Sequence, residues 1–291
     1  NRSIELHQQI CAFLEEHKIN NPVLYLSTNI TPVERRRRVN WMKYKMKYGA
    51  KPILVSTQVV EAGVDLDFDL GFRDLGPIDS VVQVAGRINR ENSDERKGSP
   101  LYIVDFGDCQ KIYGHATNSK ASKALSNGVI EEKDYKQMVE TYFDDIADQK
   151  MSDFRFSREV FDAMINLKYA FPASSPKKHT TVSDFKIIEE SQNGISVFVE
   201  LKEDKIGTEA REAYQDLLDG EMKKSEFDKK FKRAFNQRMI AVPDYLNKAR
   251  ELMEEPAISE NIYWIRSQDC AYYYNENTGF LRSNDSENKS T

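Results

Sequence analysis

Two arginines, Arg87 and Arg90, stand three residues apart just after Gly86. On a helix this spacing places both side chains on one face, and the missing side chain of Gly86 lets a backbone or a phosphate come close. Arginine stays charged at any working pH, and its planar fork matches phosphate oxygens. Gln83, one turn earlier, is placed to orient a water or a nucleotide. The segment therefore predicts a site for a polyphosphate.

Hydroxyl side chains follow a short apolar run at 53–55, which is typical of a buried strand. Ser56 and Thr57 stand at the carboxyl end of this strand, the edge where ligands bind in open α/β sheets. Hydroxyls and backbone N–H groups there hold nucleic-acid phosphates without reading the base sequence. Asp65, shortly after Gly63, is a candidate acceptor for ribose hydroxyls.

Each feature also has a plain structural interpretation. An arginine pair at a helix end is usually a cap or a surface ion pair, and Thr57 could cap the next element. Three alternating aspartates, Asp65, Asp67 and Asp69, mimic the start of a calcium loop, but Leu70 stands where such a loop has glycine. We interpret this alternation as the polar face of a strand and expect no metal ligands here.

The elements that carry these residues are predicted from hydrophobic spacing and start signals. Thr31, Pro32 and Glu34 combine an N-cap, a first-turn proline and a capping box, which predicts a helix from about Pro32 to Tyr48. Further helices are predicted at 4–14 and from Ile78 to about Ile88, and strands at 23–26, 53–55, 66–72 and 101–104. Helices that alternate with short apolar strands favour a parallel α/β sheet.

The character of the chain changes after about residue 111. Asn193-Gly194 predicts a hairpin between strands at 185–190 and 195–201. Helices are predicted at 131–147, 158–167, 209–218 and 226–236, a loop at 172–178, and short strands at 262–265 and 271–274. We therefore predict an α/β lobe over 1–110, a helical linker over 111–170 and a smaller α+β domain over 171–291.

Composition excludes several classes of protein. The chain has 291 residues, 40% of them hydrophobic and 31% charged, and a mean hydropathy of −0.65. Its sequence lacks an apolar run long enough to cross a bilayer. Its three cysteines form neither a zinc pattern nor a disulfide framework, which favours a reducing cytoplasm. A net charge of −5 predicts that any nucleic acid is held locally rather than over the whole surface.

A basic stretch at 35–51 is the exception to this acidic balance. Its four consecutive arginines, at 35–38, step by about 100° each on a helix, so they cannot all face one ligand. We favour Arg35 as a nucleic-acid contact and leave the others open. The aromatic residues of the same helix, Trp41, Tyr44 and Tyr48, are expected to pack against the sheet, with stacking on bases as the alternative.

Taken together and in this order, the motifs resemble those of a known family. The segments at 56–65, 73–80 and 83–90 resemble motifs V and VI of superfamily 2 helicases and, more narrowly, of the CRISPR-associated helicase–nuclease of type I systems. The segment at 26–29, with Pro32 and Arg35, is similar to the motif IV region of that family. The resemblance covers residues 20–107 and thins beyond them.

The resemblance implies an ATP-dependent helicase and a role for each matched residue. Arg87 and Arg90 would face ATP bound between two RecA-like lobes, with Arg90 as the arginine finger, and Gln83 would contact the phosphates or the attacking water. The implied nucleotide-binding residues are Gly63, Asp65, Gly86, Arg87 and Arg90. The implied contacts to single-stranded DNA are Ser56, Thr57, Gln58, Thr28 and Arg35.

Motifs that the sequence lacks are equally informative. No glycine is followed by lysine, so a P-loop is missing, as are an acidic magnesium motif and a His-Asp nuclease signature. The cradle for ATP, the ligands of Mg²⁺ and the HD nuclease are therefore expected on another segment. The chain is predicted to be the second lobe plus a C-terminal domain of a cytoplasmic protein and to be inactive without the first lobe.

The partners that the resemblance implies are single-stranded DNA, the first RecA-like lobe, the HD nuclease domain and the RNA-guided CRISPR surveillance complex. Two other hypotheses stay open from the sequence. The chain could be an RNA or DNA helicase lobe of another superfamily 2 family. It could also be a non-enzymatic docking module that retains a helicase lobe.

Overall fold

The computed structural model describes residues 2–61, 64–107, 109–126, 128–150, 155–171, 179–185, 194–259 and 262–282. The α-helices in these ranges are α1 (Arg2–Glu16), α2 (Pro32–Lys47), α3 (Ile78–Ala85), α4 (Cys109–Tyr113), α5 (His115–Ala124), α6 (Tyr135–Lys150), α7 (Arg155–Ile165), α8 (Lys205–Leu218), α9 (Lys224–Lys230), α10 (Lys232–Asn236), α11 (Asn247–Met253) and α12 (Cys270–Tyr273). The strands are β1 (Val23–Leu26), β2 (Ile53–Ser56), β3 (Gly71–Asp74), β4 (Leu101–Val104), β5 (Gly194–Val199), β6 (Met239–Pro243), β7 (Ile262–Ile265), β8 (Tyr274–Asn275) and β9 (Gly279–Phe280). The predicted α/β class with parallel strand pairs is confirmed.

Two compact units divide the chain. The first unit joins residues 1–64 to residues 191–291, and the second consists of residues 65–190. The first unit therefore combines the amino-terminal segment with the carboxyl-terminal part of the chain. The predicted sequence boundaries at residues 110 and 170 do not coincide with this division and stay a prediction.

The described residues of the first unit form three sheets, of which β8–β9 is a short hairpin and the other two are larger. Strands β1 and β2 are parallel, with Leu26 opposite Ser56, and their core includes Tyr25, Ile30 and Val55. The second sheet has the order β6-β5-β7, with β5 antiparallel to β6 and parallel to β7. The first strand of the predicted hairpin, apart from Phe185, lies outside the described residues, whereas its second strand is confirmed as β5.

Helix α2 begins as predicted but is capped by a different set of partners. The Thr31 hydroxyl accepts a hydrogen bond from the Glu34 N–H (3.4 Å), and Pro32 is the first helical residue. The predicted capping box is absent, because the Thr31 N–H donates instead to the Tyr274 hydroxyl at 3.1 Å. The Glu34 carboxylate accepts from Arg37 at 2.6 Å. The start of α2 could be predicted from residues next to it in the sequence, whereas the contact of Thr31 with the distant Tyr274 could not.

The aromatic face of α2 is exposed rather than packed, so that expectation was wrong. Trp41, Tyr44 and Tyr48 are 40%, 60% and 69% exposed. The buried face of this helix is taken by Met42, with Arg38 half-buried one turn earlier. Because residues 38 and 42 share one side of a helix, the aromatic residues at 41, 44 and 48 point away from it.

The second unit combines a parallel strand pair with helices. β3 and β4 pair with Gly71 opposite Leu101, and a core that includes Leu75, Ile78 and Tyr142 connects α3 to α6. The predicted strand at 66–72 is shorter than expected: β3 begins at Gly71, and Phe68 forms an isolated bridge to Ile88. Across the part of the chain that the structure describes, no helix is long and apolar enough to span a membrane.

Near the carboxyl end one predicted strand proves to be a helix. Residues 271–273 lie in α12, and the extended backbone starts only at Tyr274. β8 then pairs with β9 in a tight antiparallel hairpin, with Tyr274 opposite Phe280. Tyr273, Tyr274 and Phe280 are buried in the core of the first unit, and this burial outweighs the strand preference of three consecutive tyrosines.

Candidate nucleotide and nucleic-acid interfaces

The segment that carries the two arginines is a turn and not a helix. α3 ends at Ala85, and Ile88 bridges to Phe68 through two backbone hydrogen bonds of 2.9 Å, from Phe68 N–H to the Arg87 carbonyl and from Asn89 N–H to the Phe68 carbonyl. Asn89 has a φ of +45°. The predicted helix to Ile88 was therefore too long, and the argument that a helix places both arginines on one face was wrong.

Arg90 is fixed at its backbone and exposed at its side chain. Its N–H donates to the Asp67 carboxylate at 2.7 Å. Its guanidinium lies 3.2 Å from the Asp65 carboxylate, and these two side chains are 40% and 70% exposed. The structure thus brings together Asp65 and Arg90, both predicted at the nucleotide. An exposed pair of this kind is weak, so a phosphate is able to replace the carboxylate as the guanidinium's partner.

Asp67 anchors this segment, and sequence reasoning missed its role. Its carboxylate accepts hydrogen bonds from the Arg96 guanidinium and from the Arg90 N–H, while Asp69 lies 3.5 Å from Arg96. Burial by itself would raise the pKa of the Asp67 carboxyl, but the hydrogen bonds from Arg96 and Arg90 outweigh burial and lower it. The alternation of Asp67 and Asp69 was the available signal, because alternate residues of an extended segment face the same side.

The other residues predicted near ATP lie on or just after α3. Gln83 is exposed on the helix, and Arg87 is half-buried in the turn that follows it. A Cβ built on Gly86 would meet only the carbonyl oxygens of Gln83 and Val82 within the described residues, each at 3.6 Å. The space in front of Gly86 is therefore open to a ligand. Gly63 lies outside the described residues.

Hydroxyl side chains gather at the carboxyl edge of the β1–β2 pair. The Ser56 hydroxyl lies within hydrogen-bonding distance of the carbonyls of Leu26 (3.2 Å) and Thr57 (2.8 Å), and the Thr57 N–H donates to the Leu26 carbonyl at 3.0 Å. Because Leu26 and Ser56 are register partners, the exposed Thr28 follows β1 at the same edge. The structure thus brings Thr28, Ser56 and Thr57 to one edge, as the parallel pairing requires.

The alternative role of Thr57 as a capping residue is not seen. Thr57 occupies the position before a short 3-10 helix, Gln58–Val60, but its side chain makes no capping hydrogen bond there. Gln58, the third predicted DNA contact of this segment, is exposed. Exposed polar side chains at the carboxyl ends of parallel strands are suited to phosphate oxygens.

The four consecutive arginines of α2 divide into different environments, as the helical step requires. Arg36 is exposed, and Arg37 binds Glu34 at 2.6 Å. Arg38 donates to backbone carbonyls, including that of Tyr25 at 2.7 Å. Arg35, the predicted DNA contact, is half-buried in the first turn; burial lowers its pKa, and the neighbouring Tyr274 partly opposes this effect.

The fold and these two sites define a class of protein. Parallel strand pairs with helices, hydroxyls at a carboxyl strand edge and an arginine-bearing turn after a helix are features of a RecA-like lobe. Within the described residues, no group of three or more His, Cys, Asp and Glu side chains is arranged to hold a metal ion. The class that the described residues define is an α/β fold built from parallel strand pairs and helices.

Comparisons with known proteins identify the relationship more closely. Residues 1–93 match the family model described as the C-terminal part of the CRISPR-associated nuclease/helicase Cas3. The CRISPR-associated nuclease/helicase Cas3 of Haloferax volcanii is 29% identical over 140 residues, which are 46% of this chain and 15% of that protein. The recognition made from the motifs is confirmed: the chain resembles the C-terminal part of a Cas3 helicase.

Solved structures with a similar fold cover most of the chain. The crystal structure of T. fusca Cas3 with AMPPNP matches with a TM-score of 0.57 and 16% identity over 91% of this chain and 34% of that one. A chain of a CRISPR RNA-guided surveillance complex before nicking matches with a TM-score of 0.50 and 18% identity over 90% of this chain and 36% of that one. At these identities the similarity shows the fold.

The chain spans about a fifth or less of the length of the curated relatives that it matches. Both of these relatives are named CRISPR-associated nuclease/helicase Cas3.

Proposed function

We propose that this chain is the second RecA-like lobe and C-terminal domain of an ATP-dependent translocase on single-stranded DNA that acts in CRISPR interference. The observation that supports the proposal most directly is that the Arg90 backbone is fixed while its side chain is exposed. Its backbone N–H is held by Asp67 at 2.7 Å, while its guanidinium is 40% exposed and lies 3.2 Å from the carboxylate of the exposed Asp65. A positioned, exposed and permanently charged side chain is what an arginine finger requires.

In this proposal the lobe supplies one wall of the ATP site. The Arg90 guanidinium stabilises the charge that develops on the transferred phosphoryl group, and Arg87 contributes a second cation. Gln83 contacts the phosphates or orients the attacking water, and the open space at Gly86 admits the polyphosphate. Asp65 lies by the ribose. Mg²⁺ and the main phosphate cradle belong to a first lobe, so the chain alone does not hydrolyse ATP.

The DNA track in this proposal is the carboxyl edge of β1 and β2. Hydroxyls of Ser56 and Thr57 and the amide of Gln58 contact the phosphate backbone of single-stranded DNA. Thr28 and the charged Arg35 extend the contact on the side of β1. These contacts read no base sequence, which suits a protein that moves along a strand.

The partners in this proposal follow from the related proteins. The match to a chain of an RNA-guided surveillance complex supports assembly with such a complex, and an HD nuclease on another segment would cut the translocated strand. A translocase recruited by that complex works in the cytoplasm.

Substitution of Arg90 tests the proposed function. In the chain joined to its first lobe, Arg90→Ala is expected to lower the rate of DNA-stimulated ATP hydrolysis by about three to five orders of magnitude, while ATP binding largely persists. The matched control is Arg158→Ala, which removes an exposed arginine of α7 and leaves hydrolysis unchanged. Undiminished turnover in the Arg90 variant would remove the arginine-finger role.

A further inference from the structure

The turn that bears Thr28 is held by the carboxyl-terminal hairpin of the same unit. The turn spans Ser27–Thr31, and the Ile30 N–H closes it by donating to the Ser27 carbonyl at 3.1 Å. On one side of Thr28, the carbonyl of Asn29 accepts a hydrogen bond from the Phe280 N–H at 2.9 Å. Further along, the Thr31 N–H donates to the buried Tyr274 hydroxyl at 3.1 Å. Tyr274 and Phe280, which are more than 240 residues away in the sequence, thus fix this turn.

Gly279 makes the contact between hairpin and turn possible. Its φ is +84°, a conformation that favours glycine. A Cβ on Gly279 would lie 2.3 Å from the Asn29 carbonyl oxygen and 2.6 Å from its carbonyl carbon. Because these are backbone atoms, they cannot move aside as a flexible side chain could. The hairpin therefore packs backbone against backbone on the residue next to Thr28.

Arg38 ties the hairpin to α2, the helix that carries Arg35. Its guanidinium donates to the carbonyls of Tyr25 (2.7 Å) and Asn277 (2.6 Å) and also to that of Glu276. The hairpin loop is itself ordered, because the Asn275 side chain accepts from the N–H groups of Asn277 (2.8 Å) and Thr278 (3.1 Å). One guanidinium therefore joins the end of β1, the hairpin loop and the helix.

We propose that the Tyr274–Phe280 hairpin is a positioning element that sets the affinity for single-stranded DNA without touching the DNA. It would do so by holding the Ser27–Thr31 turn and the first turn of α2, and thereby Thr28 and Arg35, in the binding conformation. This inference rests on the proposed function, which assigns DNA contacts to these two residues. Binding residues on a loop cost entropy to order, and contacts that order the loop beforehand remove that cost.

A conservative substitution tests the proposal. In the full-length protein, Tyr274→Phe removes one hydroxyl and leaves the ring in place. It is expected to weaken binding to a fluorescein-labelled deoxythymidine oligonucleotide about five- to tenfold, because the Thr31 N–H loses its partner and the turn loosens. The matched control is Tyr272→Phe, two residues away, whose hydroxyl donates to Glu251 at 2.8 Å and not to the turn; its affinity stays unchanged. Gly279→Ala is expected to weaken binding further where the variant folds.

A kinetic measurement separates positioning from a merely structural role. Tyr274→Phe should raise the oligonucleotide concentration that gives half-maximal stimulation of ATP hydrolysis and leave the saturated rate unchanged. A structural role would instead lower the saturated rate, through loss of folded protein, and leave the half-maximal concentration as it was. That second pattern, or unchanged DNA affinity in the variant, would overturn the proposal.

Variants of the contact residues distinguish failure of this inference from failure of the proposed function. Thr28→Val and Arg35→Ala should each weaken oligonucleotide binding directly. If they do and Tyr274→Phe does not, the DNA contacts stand and the positioning role is overturned. If neither contact variant changes the affinity, the proposed DNA contacts fail, and the positioning of Thr28 and Arg35 fails with them.

Discussion

The two candidate sites are held in place by contacts of very different range. The Arg90 N–H is fixed by Asp67, 23 residues earlier in the chain. The turn of Thr28 is fixed by Tyr274, which lies 243 residues from its partner Thr31, and Arg38 reaches Asn277 over 239 residues. The arginine segment is therefore a local structure of the second unit, whereas the proposed DNA edge depends on the first unit being assembled from residues 1–64 and 191–291.

This difference in range predicts a difference in vulnerability. Long-range contacts form only after a long loop has closed, so they depend on the stability of everything that closes it. Destabilising substitutions in the carboxyl-terminal part of the first unit should therefore disturb the proposed DNA edge and spare the arginine segment. Damage at Asp67 should do the reverse.

The largest effect on stability is expected at the buried ion pair of the first unit. The Asp204 carboxylate accepts two hydrogen bonds from Arg238, at 2.6 and 2.7 Å, and the side chains are only 4% and 3% exposed. The neighbouring Gln237 carbonyl accepts from the Val33 N–H of α2 at 3.0 Å, so this pair supports the helix that carries Arg35. Asp204→Ala should cost about 3–5 kcal/mol of the free energy of unfolding, because it leaves a buried charge without its partner.

Urea denaturation followed by tryptophan fluorescence measures this loss, since both tryptophans, Trp41 and Trp264, lie in the first unit. The control is Glu226→Ala, which removes an exposed i,i+4 pair with Lys230 at 2.8 Å and should leave the free energy of unfolding nearly unchanged. Equal effects of the two substitutions would contradict the account of the first unit.

Acid should reproduce the effect of losing the Asp204 charge. Burial by itself raises the pKa of the Asp204 carboxyl, but the hydrogen bonds and charge of Arg238 outweigh it, and the folded pKa lies below its ordinary value. The pair therefore stabilises the fold above about pH 4, the unfolded value for aspartate, and this contribution is lost as the pH falls through the folded pKa. Fluorescence-monitored stability between pH 2 and pH 6 should show that decline, and a flat profile would contradict it.

Substitution of Asp67 is expected to have a smaller effect, and to affect the arginine segment rather than the proposed DNA edge. Asp67→Ala removes the acceptor of the Arg90 N–H and the partner of Arg96. Loss of these hydrogen bonds should lower ATP hydrolysis about tenfold, corresponding to roughly 1–2 kcal/mol, without changing the affinity for single-stranded DNA. Asp69→Ala is the control, because Asp69 is 52% exposed and lies 3.5 Å from Arg96. A loss of DNA affinity in the Asp67 variant would break the distinction between the two sites.

The smallest effect on stability is expected at Gly86. Its φ is −66°, and an added Cβ would make only ordinary contacts at 3.6 Å. Gly86→Ala should therefore change the free energy of unfolding by less than about 0.5 kcal/mol. If a phosphate approaches this backbone, the same substitution should raise the KM for ATP severalfold. An unchanged KM would show that the space at Gly86 is not used by the nucleotide.

The local part of this architecture could be predicted from the sequence. Thr31 and Pro32 predict the start of α2, and the apolar runs at β1 and β2 predict that Ser56 and Thr57 lie at the carboxyl end of a strand. These signals depend on neighbours along the chain, and they led to the α/β class. The motif segments at 56–65, 73–80 and 83–90 led to the resemblance that the comparisons confirm.

The rest depended on tertiary contacts that the sequence does not display. α3 ends before Arg87 because Ile88 pairs with Phe68, twenty residues upstream, and this bridge overrides a helical pattern. The N–H of Thr31 is taken by Tyr274 rather than by Glu34. Sequence spacing placed Thr28, Ser56 and Thr57 at the ends of their strands, but it put Arg87 on a helix that ends at Ala85. It also did not identify Asp67, Tyr274 or Gly279 as residues that hold these segments.

The most direct test of the central claim is the rate of ATP hydrolysis by the chain joined to its first lobe, with and without single-stranded DNA. The rate should be low in the absence of nucleic acid and strongly stimulated by a deoxythymidine oligonucleotide. A rate that does not respond to single-stranded DNA, or that responds more strongly to an RNA of the same length, would contradict that claim.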